Sequence, residues 1–165
     1  MDAGVVRAMA RWPGVPAVYG WLALDRRGAW LLRVPDRERF ERIGNPALCE
    51  FIARNYEADE RGRWYFQNGP QRVYVRLAYT PLVLHYEGAD LVDHCGRPTI
   101  AQSTYLDEEG SVLIAGERGI GLLDDRDLAE FQDRHAPREQ DLPRLSRIDV
   151  EARFGFVSDP SDSLR

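Results

Sequence analysis

The stretch VPAVYGWLALDRRGAWLLRV (residues 15–34) contains two apolar runs, rich in β-forming residues, on either side of Asp25–Gly28. An aspartate at the entry of a turn accepts backbone N–H bonds, and Gly28 can adopt a positive φ without a Cβ clash. The stretch therefore predicts a β-hairpin, closed by a type I turn with glycine in the left-handed position.

The same Asp-x-x-Gly pattern recurs at Asp59–Gly62 and Asp107–Gly110. Repeat proteins keep a fixed period, whereas these copies start 34 and 48 residues apart, so we interpret them as turns and not as solenoid repeats or ligand loops. STYLDEEGSVLIA (residues 103–115) predicts a second hairpin of the same kind. Asp59–Gly62 follows a predicted helix, and we expect it to connect that helix to a strand.

Two helices are predicted. The first covers about residues 46–57, because Asn45 can cap it, Pro46 suits its first position, and apolar residues recur at helical spacing behind them. The second covers about residues 124–134, with Asp124 as its cap and an aspartate-rich first turn that suits the helix dipole.

The sequence between the helices predicts strands. GRWYFQNGPQRVYVRLAY (residues 62–79) has Asn68-Gly69 as a turn between two strands, and LVLHYEGADLV (residues 82–92) predicts another hairpin. The expected fold class is α+β: a mostly antiparallel, twisted sheet of hairpins, with one helix packed on it and the second near the C-terminal end.

The predicted domain organisation has three parts. Residues 1–11 form an N-terminal extension, and Met9 is a second candidate translation start. Residues 12–135 form a single globular domain, as expected for a chain of 165 residues. Residues 136–165 form a polar tail, in which alternating apolar residues at 148–157 predict a terminal strand or an arm that packs on a neighbour.

Charge and composition exclude several classes of protein. All 22 basic residues are arginine, the net charge is −5, and acids alternate with arginines, which disfavours nucleic acid as a partner. Two cysteines do not make a disulfide framework, and no apolar run approaches the roughly 20 residues that span a bilayer. We expect a cytoplasmic protein that does not bind membranes.

Three motifs carry a family resemblance: WPGVPAVYGWLALDRRGAW, IGNPALCEFIARNY and GRWYFQNGPQRVYV. Over about Trp12–Phe131 the chain resembles an uncharacterised family of small proteobacterial proteins, known only as a domain of unknown function. The resemblance implies a soluble bacterial protein. It implies no activity and no catalytic residues.

Aromatic and arginine residues on the predicted strands give the main functional hypothesis. Such residues are enriched at protein interfaces. We therefore predict a protein-interaction or assembly module without catalytic activity, which binds a protein partner or a second copy of itself. The predicted contact surface consists of Trp64, Phe66, Arg72, Tyr74 and Arg76. The alternative is that a second layer, the helix or the tail, covers this face of the sheet.

The alternative hypothesis is an enzyme or binding protein for an anionic small molecule, with a pocket between sheet and helix. The candidate ligand-binding residues are Arg54, Arg72, Arg76, His94 and Cys95. No histidine or cysteine spacing indicates a metal site, and we expect neither metal nor cofactor. A catalytic His94–Cys95 pair is disfavoured, because adjacent residues of an extended chain point to opposite sides.

Overall fold

The computed structural model describes residues 1–35, 37, 39–136 and 141–160. The chain divides into two compact units. Unit 1 comprises Met1–Asp25, Ala29–Ala78 and the C-terminal residues from Gly155, and unit 2 comprises Arg26–Gly28 and Tyr79–Phe154. Each unit is built on one sheet.

The sheet of unit 1 has six strands in the order β3-β2-β1-β6-β5-β4. Neighbouring strands pair antiparallel, except that β1 and β6 pair parallel. The strands are β1 (Val18–Leu24), β2 (Trp30–Arg33), β3 (Phe40–Arg42), β4 (Tyr56–Ala58), β5 (Trp64–Asn68) and β6 (Gln71–Leu77). Helices α1 (Ala3–Arg11) and α2 (Pro46–Arg54) belong to the same unit.

The sheet of unit 2 has five strands in the order β8-β7-β11-β10-β9, and here β7 and β11 form the parallel pair. The strands are β7 (Leu82–Glu87), β8 (Asp90–Asp93), β9 (Ser103–Leu106), β10 (Val112–Gly116) and β11 (Gly119–Leu123). A 3-10 turn at Asp125–Asp127 leads into α3 (Leu128–His135), and a second at Arg147–Asp149 leads into α4 (Val150–Phe154).

These sheets confirm the α+β class and the hairpin construction. The hairpin of residues 15–34 has the register Leu24↔Trp30, and the hairpins predicted within residues 62–79 and 82–92 are also present. The hairpin within residues 62–79 turns at Gly69-Pro70 and not at Asn68-Gly69, because Asn68 pairs with Gln71. The described residues contain four α-helices instead of two. Helix α2 ends at Arg54 and not near residue 57, because Tyr56–Ala58 pairs with β5.

Asp-x-x-Gly loops connect strands at four places in the described chain: Asp25–Gly28, Asp59–Gly62, Asp107–Gly110 and a copy that the sequence reading missed, Asp93–Gly96. In each loop the aspartate N–H donates to the carbonyl of the residue four positions on. The aspartate Oδ1 accepts the N–H of that same residue, at 2.7–3.0 Å. Each aspartate is thus bonded within its own loop, as expected of a turn.

The loop Asp59–Gly62 does not connect helix to strand as predicted, because β4 intervenes and the loop joins two antiparallel strands. Gly62 has φ +73°, and its close neighbour is the C-terminal segment. The Val157 N–H donates to the Gly62 carbonyl at 3.0 Å, and the Leu77 N–H donates to the Ser158 carbonyl at 2.8 Å.

In the described part of the tail, residues 148–157 do not form the predicted strand. Their alternation instead coincides with a 3-10 turn and helix α4, followed by a single parallel bridge between Val157 and Arg63. The alternation did not mark one buried face, because residues two positions apart in a helix lie on different sides. Ile148 and Ala152 are exposed, whereas Val150 and Phe156 are buried.

The first eleven residues are not a free extension, because they form α1 and contact the rest of unit 1. Val5 is buried. Asn55 is fully buried, its Oδ1 accepts the Asp2 N–H at 2.7 Å, and its Nδ2 donates to the Asp2 carboxylate.

A chain that begins at Met9 is therefore expected to lose about 2–3 kcal/mol of stability, because it loses the burial of Val5 and the Asp2 bonds to Asn55. Urea unfolding of the full and shortened chains, followed by tryptophan fluorescence, measures the difference. Equal midpoints and slopes would show that α1 contributes nothing to the stability of unit 1.

Candidate ligand-binding cavity

Helix α2 covers one face of the unit 1 sheet, and this face contains two of the predicted contact residues. Phe66 meets Phe51 of the helix edge to face, with ring centroids 5.4 Å apart. Trp64 packs against Tyr56 at 4.8 Å. Both rings are buried, so the prediction that they form an exposed contact surface is wrong: the helix provides the second layer that the sequence could not place.

The opposite face of β5 and β6 contains Tyr65 and Tyr74, which are cross-strand partners. The Tyr74 ring is also buried, stacked on Tyr19 at 4.6 Å, and its hydroxyl donates to Asp59 Oδ2 at 2.9 Å. Burial raises the pKa of Tyr74, the hydrogen bond from Arg72 lowers it, and the bond to Asp59 raises it. The net result is an increase, so its hydroxyl is neutral at physiological pH. Of the five predicted contact residues, only Arg72 and Arg76 reach the surface.

Two arginines lie over the rings of this face. Arg63 lies 4.6 Å from the Tyr74 ring centroid and Arg72 lies 4.2 Å from that of Tyr65, both in cation–π geometry. Arg63 is neutralised by Asp59, at 2.7 Å. Although burial raises the pKa of Asp59, the bonds from Arg63 outweigh it and hold that pKa below its usual value.

Arg72 differs from Arg63 in having no carboxylate within ion-pair distance among the described residues. A guanidinium keeps its charge at any physiological pH. The groups beside this charge are the π-face of Tyr65 and the Tyr74 hydroxyl, which accepts a hydrogen bond from Arg72. Neither group carries a negative charge.

A cavity of about 350 Å³ lies next to Arg72, between this sheet face and the segment that follows α1. Most of the residues that line it are apolar or aromatic, although polar atoms contribute more of the lining surface than apolar atoms do. Arg72 is the charged residue among the described residues that line it. The lining consists of Met9, Trp12, Pro13, Gly14, Val15, Ala17, Gln67, Pro70, Arg72 and Tyr74.

Gln67 lies directly opposite Arg72 in the β5–β6 register and is fully buried. Its Nε2 donates to the Gly69 carbonyl at 2.9 Å. Its Oε1 is buried without a hydrogen-bond partner in the part of the chain that the structure describes. Such an acceptor is uncommon in folded proteins, because leaving it unpaired is costly.

The other predicted ligand-binding residues of unit 1 do not line the cavity. Arg54 bonds to Asp2 at 3.3 Å, and exposed Arg76 pairs with Asp159 at 3.5 Å. Their charges are compensated locally. Of the predicted ligand-binding residues in unit 1, Arg72 therefore is the one that lines the cavity.

His94 and Cys95 belong to unit 2 and lie in the fourth Asp-x-x-Gly loop. The Cys95 N–H donates to Asp93 Oδ1 at 2.9 Å, and burial together with the Asp93 charge raises the pKa of the Cys95 thiol to about 12. The Val83 N–H donates to His94 Nδ1 at 3.2 Å. Burial, with the nearby charge of Arg97, lowers the pKa of His94 to about 3. A protonated thiol beside a buried neutral imidazole is not an activated nucleophile.

A second cavity, of about 440 Å³, lies in unit 2, and several of the polar groups that line it are paired with one another or with the backbone. Arg27 pairs with Asp125 at 2.8 Å, and Asp127 accepts the Tyr86 N–H at 2.7 Å. Asp124 is hydrogen-bonded to Arg126, which lowers the pKa of that carboxyl to about 2. Within the described residues, no three His, Cys, Asp or Glu side chains are grouped so that they could hold a metal ion.

Sequence reasoning selected Arg72 but missed Gln67 and the segment of residues 9–17. The signal for Gln67 was available, because a turn centred on Gly69-Pro70 places residues 67 and 72 opposite each other. Nothing in the sequence indicated that the segment after α1 covers this face of the sheet.

Comparison with known proteins gives a family and a fold. The sequence model of DUF2944, described as "Protein of unknown function (DUF2946)", matches residues 1–161. The chain belongs to this family. The match confirms the predicted resemblance to a domain of unknown function and extends beyond Trp12–Phe131. A search of curated proteins found no match.

Two crystal structures are similar to the chain. The first is a DUF1285 family protein from Silicibacter pomeroyi DSS-3, with a TM-score of 0.50 and 17% identity, covering 76% of this chain and 74% of that one. The second is a DUF1285 family protein from Shewanella baltica OS155, with a TM-score of 0.48 and 18% identity over 72% of this chain and 94% of that one. The first similarity is one of fold. In the described residues no helix is long and apolar enough to cross a membrane.

Proposed function

We propose that unit 1 binds a small organic anion with an apolar body, and that the protein acts through this binding without catalysing a reaction. The observation that carries the proposal is Arg72, a cation without a carboxylate partner among the described residues, at a cavity lined mostly by apolar or aromatic residues. A ligand carboxylate would supply the missing counter-charge, and its apolar part would contact Trp12 and Val15.

The size and charge of the cavity support a ligand of this class. Ligand cavities begin at about 300 Å³, so about 350 Å³ suits a small molecule with one ring or a short chain. Among the described residues no acidic side chain lines the cavity, which favours an anion over a cation. We place the protein in the bacterial cytoplasm, which agrees with Cys49 and Cys95 both being free thiols.

We expect 3-phenylpropanoate to bind the wild-type protein and Arg72→Met to weaken this binding at least tenfold, a loss of about 1.4 kcal/mol or more. Calorimetric titration measures both affinities. Arg76→Met is the matched control, because Arg76 lies on the same strand but is exposed and paired with Asp159, and it should bind as the wild type does. Equal affinity in Arg72→Met, or no binding of the carboxylate, would contradict the proposal.

A protein-interaction module is the second candidate, and it is supported by two exposed tryptophans. Trp12 and Trp21 expose 52% and 47% of their surface, which is unusual for side chains of this size. This function does not need the buried rings of Trp64 and Phe66. Trp12 also lines the cavity, so ligand contact accounts for one of the two exposed rings.

A further inference from the structure

The unpaired acceptor of Gln67 indicates which organic anion the cavity takes. Gln67 and Arg72 are directly opposed across β5 and β6, and side chains in such positions have Cβ atoms about 5 Å apart. The cavity thus combines one cationic group with one buried acceptor that lacks a donor. A matching ligand carries a carboxylate and, close to it, an N–H group.

The charges at the cavity decide what kind of N–H this is. A free amino acid carries an ammonium group, and no carboxylate of the described chain lines the cavity to neutralise it. The positive charge of Arg72 would also repel that ammonium. An amide N–H donates a hydrogen bond without bringing a charge, so it satisfies Gln67 Oε1 at lower cost.

We infer that the cavity binds an apolar amino acid with a free carboxylate and an acylated nitrogen; this rests on the proposed function. Arg72 binds the carboxylate, Gln67 Oε1 accepts the amide N–H, and the apolar side chain lies against Trp12 and Val15. Oε1 is buried, so binding includes a rotation of the carboxamide towards the cavity, and this rotation breaks the hydrogen bond that Nε2 donates to the Gly69 carbonyl. The ligand chemistry is shared by N-acyl amino acids and by the carboxyl-terminal residue of a peptide.

The test compares N-acetyl-L-phenylalanine with 3-phenylpropanoate, which has the same ring and carboxylate but no N–H. Calorimetry on the full chain should show at least fivefold tighter binding of the N-acetyl compound. N-acetyl-N-methyl-L-phenylalanine, which lacks only the N–H, should lose that advantage, and this arm needs no variant of the protein. L-phenylalanine should bind more weakly than the N-acetyl compound.

A variant assigns the effect to Gln67. Gln67→Met keeps the length of the side chain but removes the acceptor, and it should bind N-acetyl-L-phenylalanine and 3-phenylpropanoate within twofold of each other. An equal affinity for the two compounds in the wild type, or an unchanged ratio in Gln67→Met, overturns the inference while leaving the proposed function intact. If Arg72→Met binds both compounds as tightly as the wild type does, the proposed function itself is overturned.

One further comparison distinguishes the two sources of such a ligand, a small N-acyl amino acid and the carboxyl terminus of a peptide. An acetylated tetrapeptide that ends in phenylalanine carries the same terminal group on a longer chain. Tighter binding of the peptide than of N-acetyl-L-phenylalanine identifies a peptide carboxyl terminus as the ligand, and weaker binding identifies a small N-acyl amino acid. If the same tetrapeptide with a carboxyl-terminal amide binds as tightly as the one with a free carboxylate, the inference is contradicted.

Discussion

Gly62→Ala is expected to destabilise unit 1 by about 3–5 kcal/mol, the sum of a strained backbone and a steric overlap. Gly62 has φ +73°, and a Cβ placed on it would lie 1.9 Å from the carbonyl oxygen of Gly155. That atom belongs to the backbone, so it cannot move aside as the end of a side chain can. The new methyl group must displace the segment that is bonded to Gly62.

Gly110→Ala is the matched control, because Gly110 closes another Asp-x-x-Gly loop with φ +81° and has no atom within 4 Å of the added Cβ. This variant should lose only the free energy of unfolding that the strained backbone at positive φ accounts for, about 1–2 kcal/mol. Urea unfolding at pH 7 measures both variants. Equal losses would show that the C-terminal segment does not contact Gly62 in solution.

The stability of the protein is expected to fall steeply in acid because of His94. Its Nε2 exposes less than 1 Å², and burial is the main reason that its pKa is lowered to about 3. The unfolded chain binds a proton at this histidine below about pH 6.5, whereas the folded chain does not until about pH 3. The stabilisation is therefore complete above pH 6.5, and it decreases by about 1.4 kcal/mol per pH unit as the pH falls through this window.

His94→Asn isolates this contribution. The amide oxygen that this substitution introduces can accept the Val83 N–H in place of the histidine Nδ1, and the amide does not titrate. Between pH 7 and pH 5 the wild type should lose about 2 kcal/mol more than the variant, as measured by urea unfolding at each pH. All other groups are the same in both proteins, so parallel pH profiles would show that His94 titrates normally in the folded state.

The sequence was sufficient for the hairpins, because their turns are local. An aspartate and a glycine three residues apart close a loop with their own backbone groups, and the flanking apolar runs set the strands. The cap and first turn of α2 were predictable for the same reason, since Asn45 Oδ1 accepts the Leu48 N–H. The end of α2 was not predictable, because Tyr56 is taken into the sheet by pairing with Phe66.

The candidate site was predicted only in part, because it depends on which element covers which sheet face. The sequence showed that Trp64 and Tyr65 point to opposite sides of β5. It did not show that α2 would cover Phe66, that Tyr56 of β4 would pack on Trp64, or that the segment after α1 would lie beside Arg72. Arg54 and Arg76 resembled Arg72 in sequence, and their ion pairs with Asp2 and Asp159 distinguish them only in the fold.

The pairing of Arg63 with Asp59 also explains why Arg72 has no carboxylate partner among the described residues. Asp59 accepts from Arg63, from the Tyr74 hydroxyl and from its own loop. Its carboxylate is therefore committed to the turn. Arg72 has the Tyr65 ring beneath it and the cavity beside it.

The most direct test of the central claim is the Nε–Hε signal of Arg72 in a ¹⁵N-resolved NMR titration with 3-phenylpropanoate, assigned by its absence in Arg72→Met. We predict a saturable shift of this signal, whose midpoint agrees with the calorimetric dissociation constant, while the Arg76 signal does not move. A stationary Arg72 signal at concentrations that saturate other signals of the protein would show that the carboxylate binds elsewhere, and would contradict the assignment of the site.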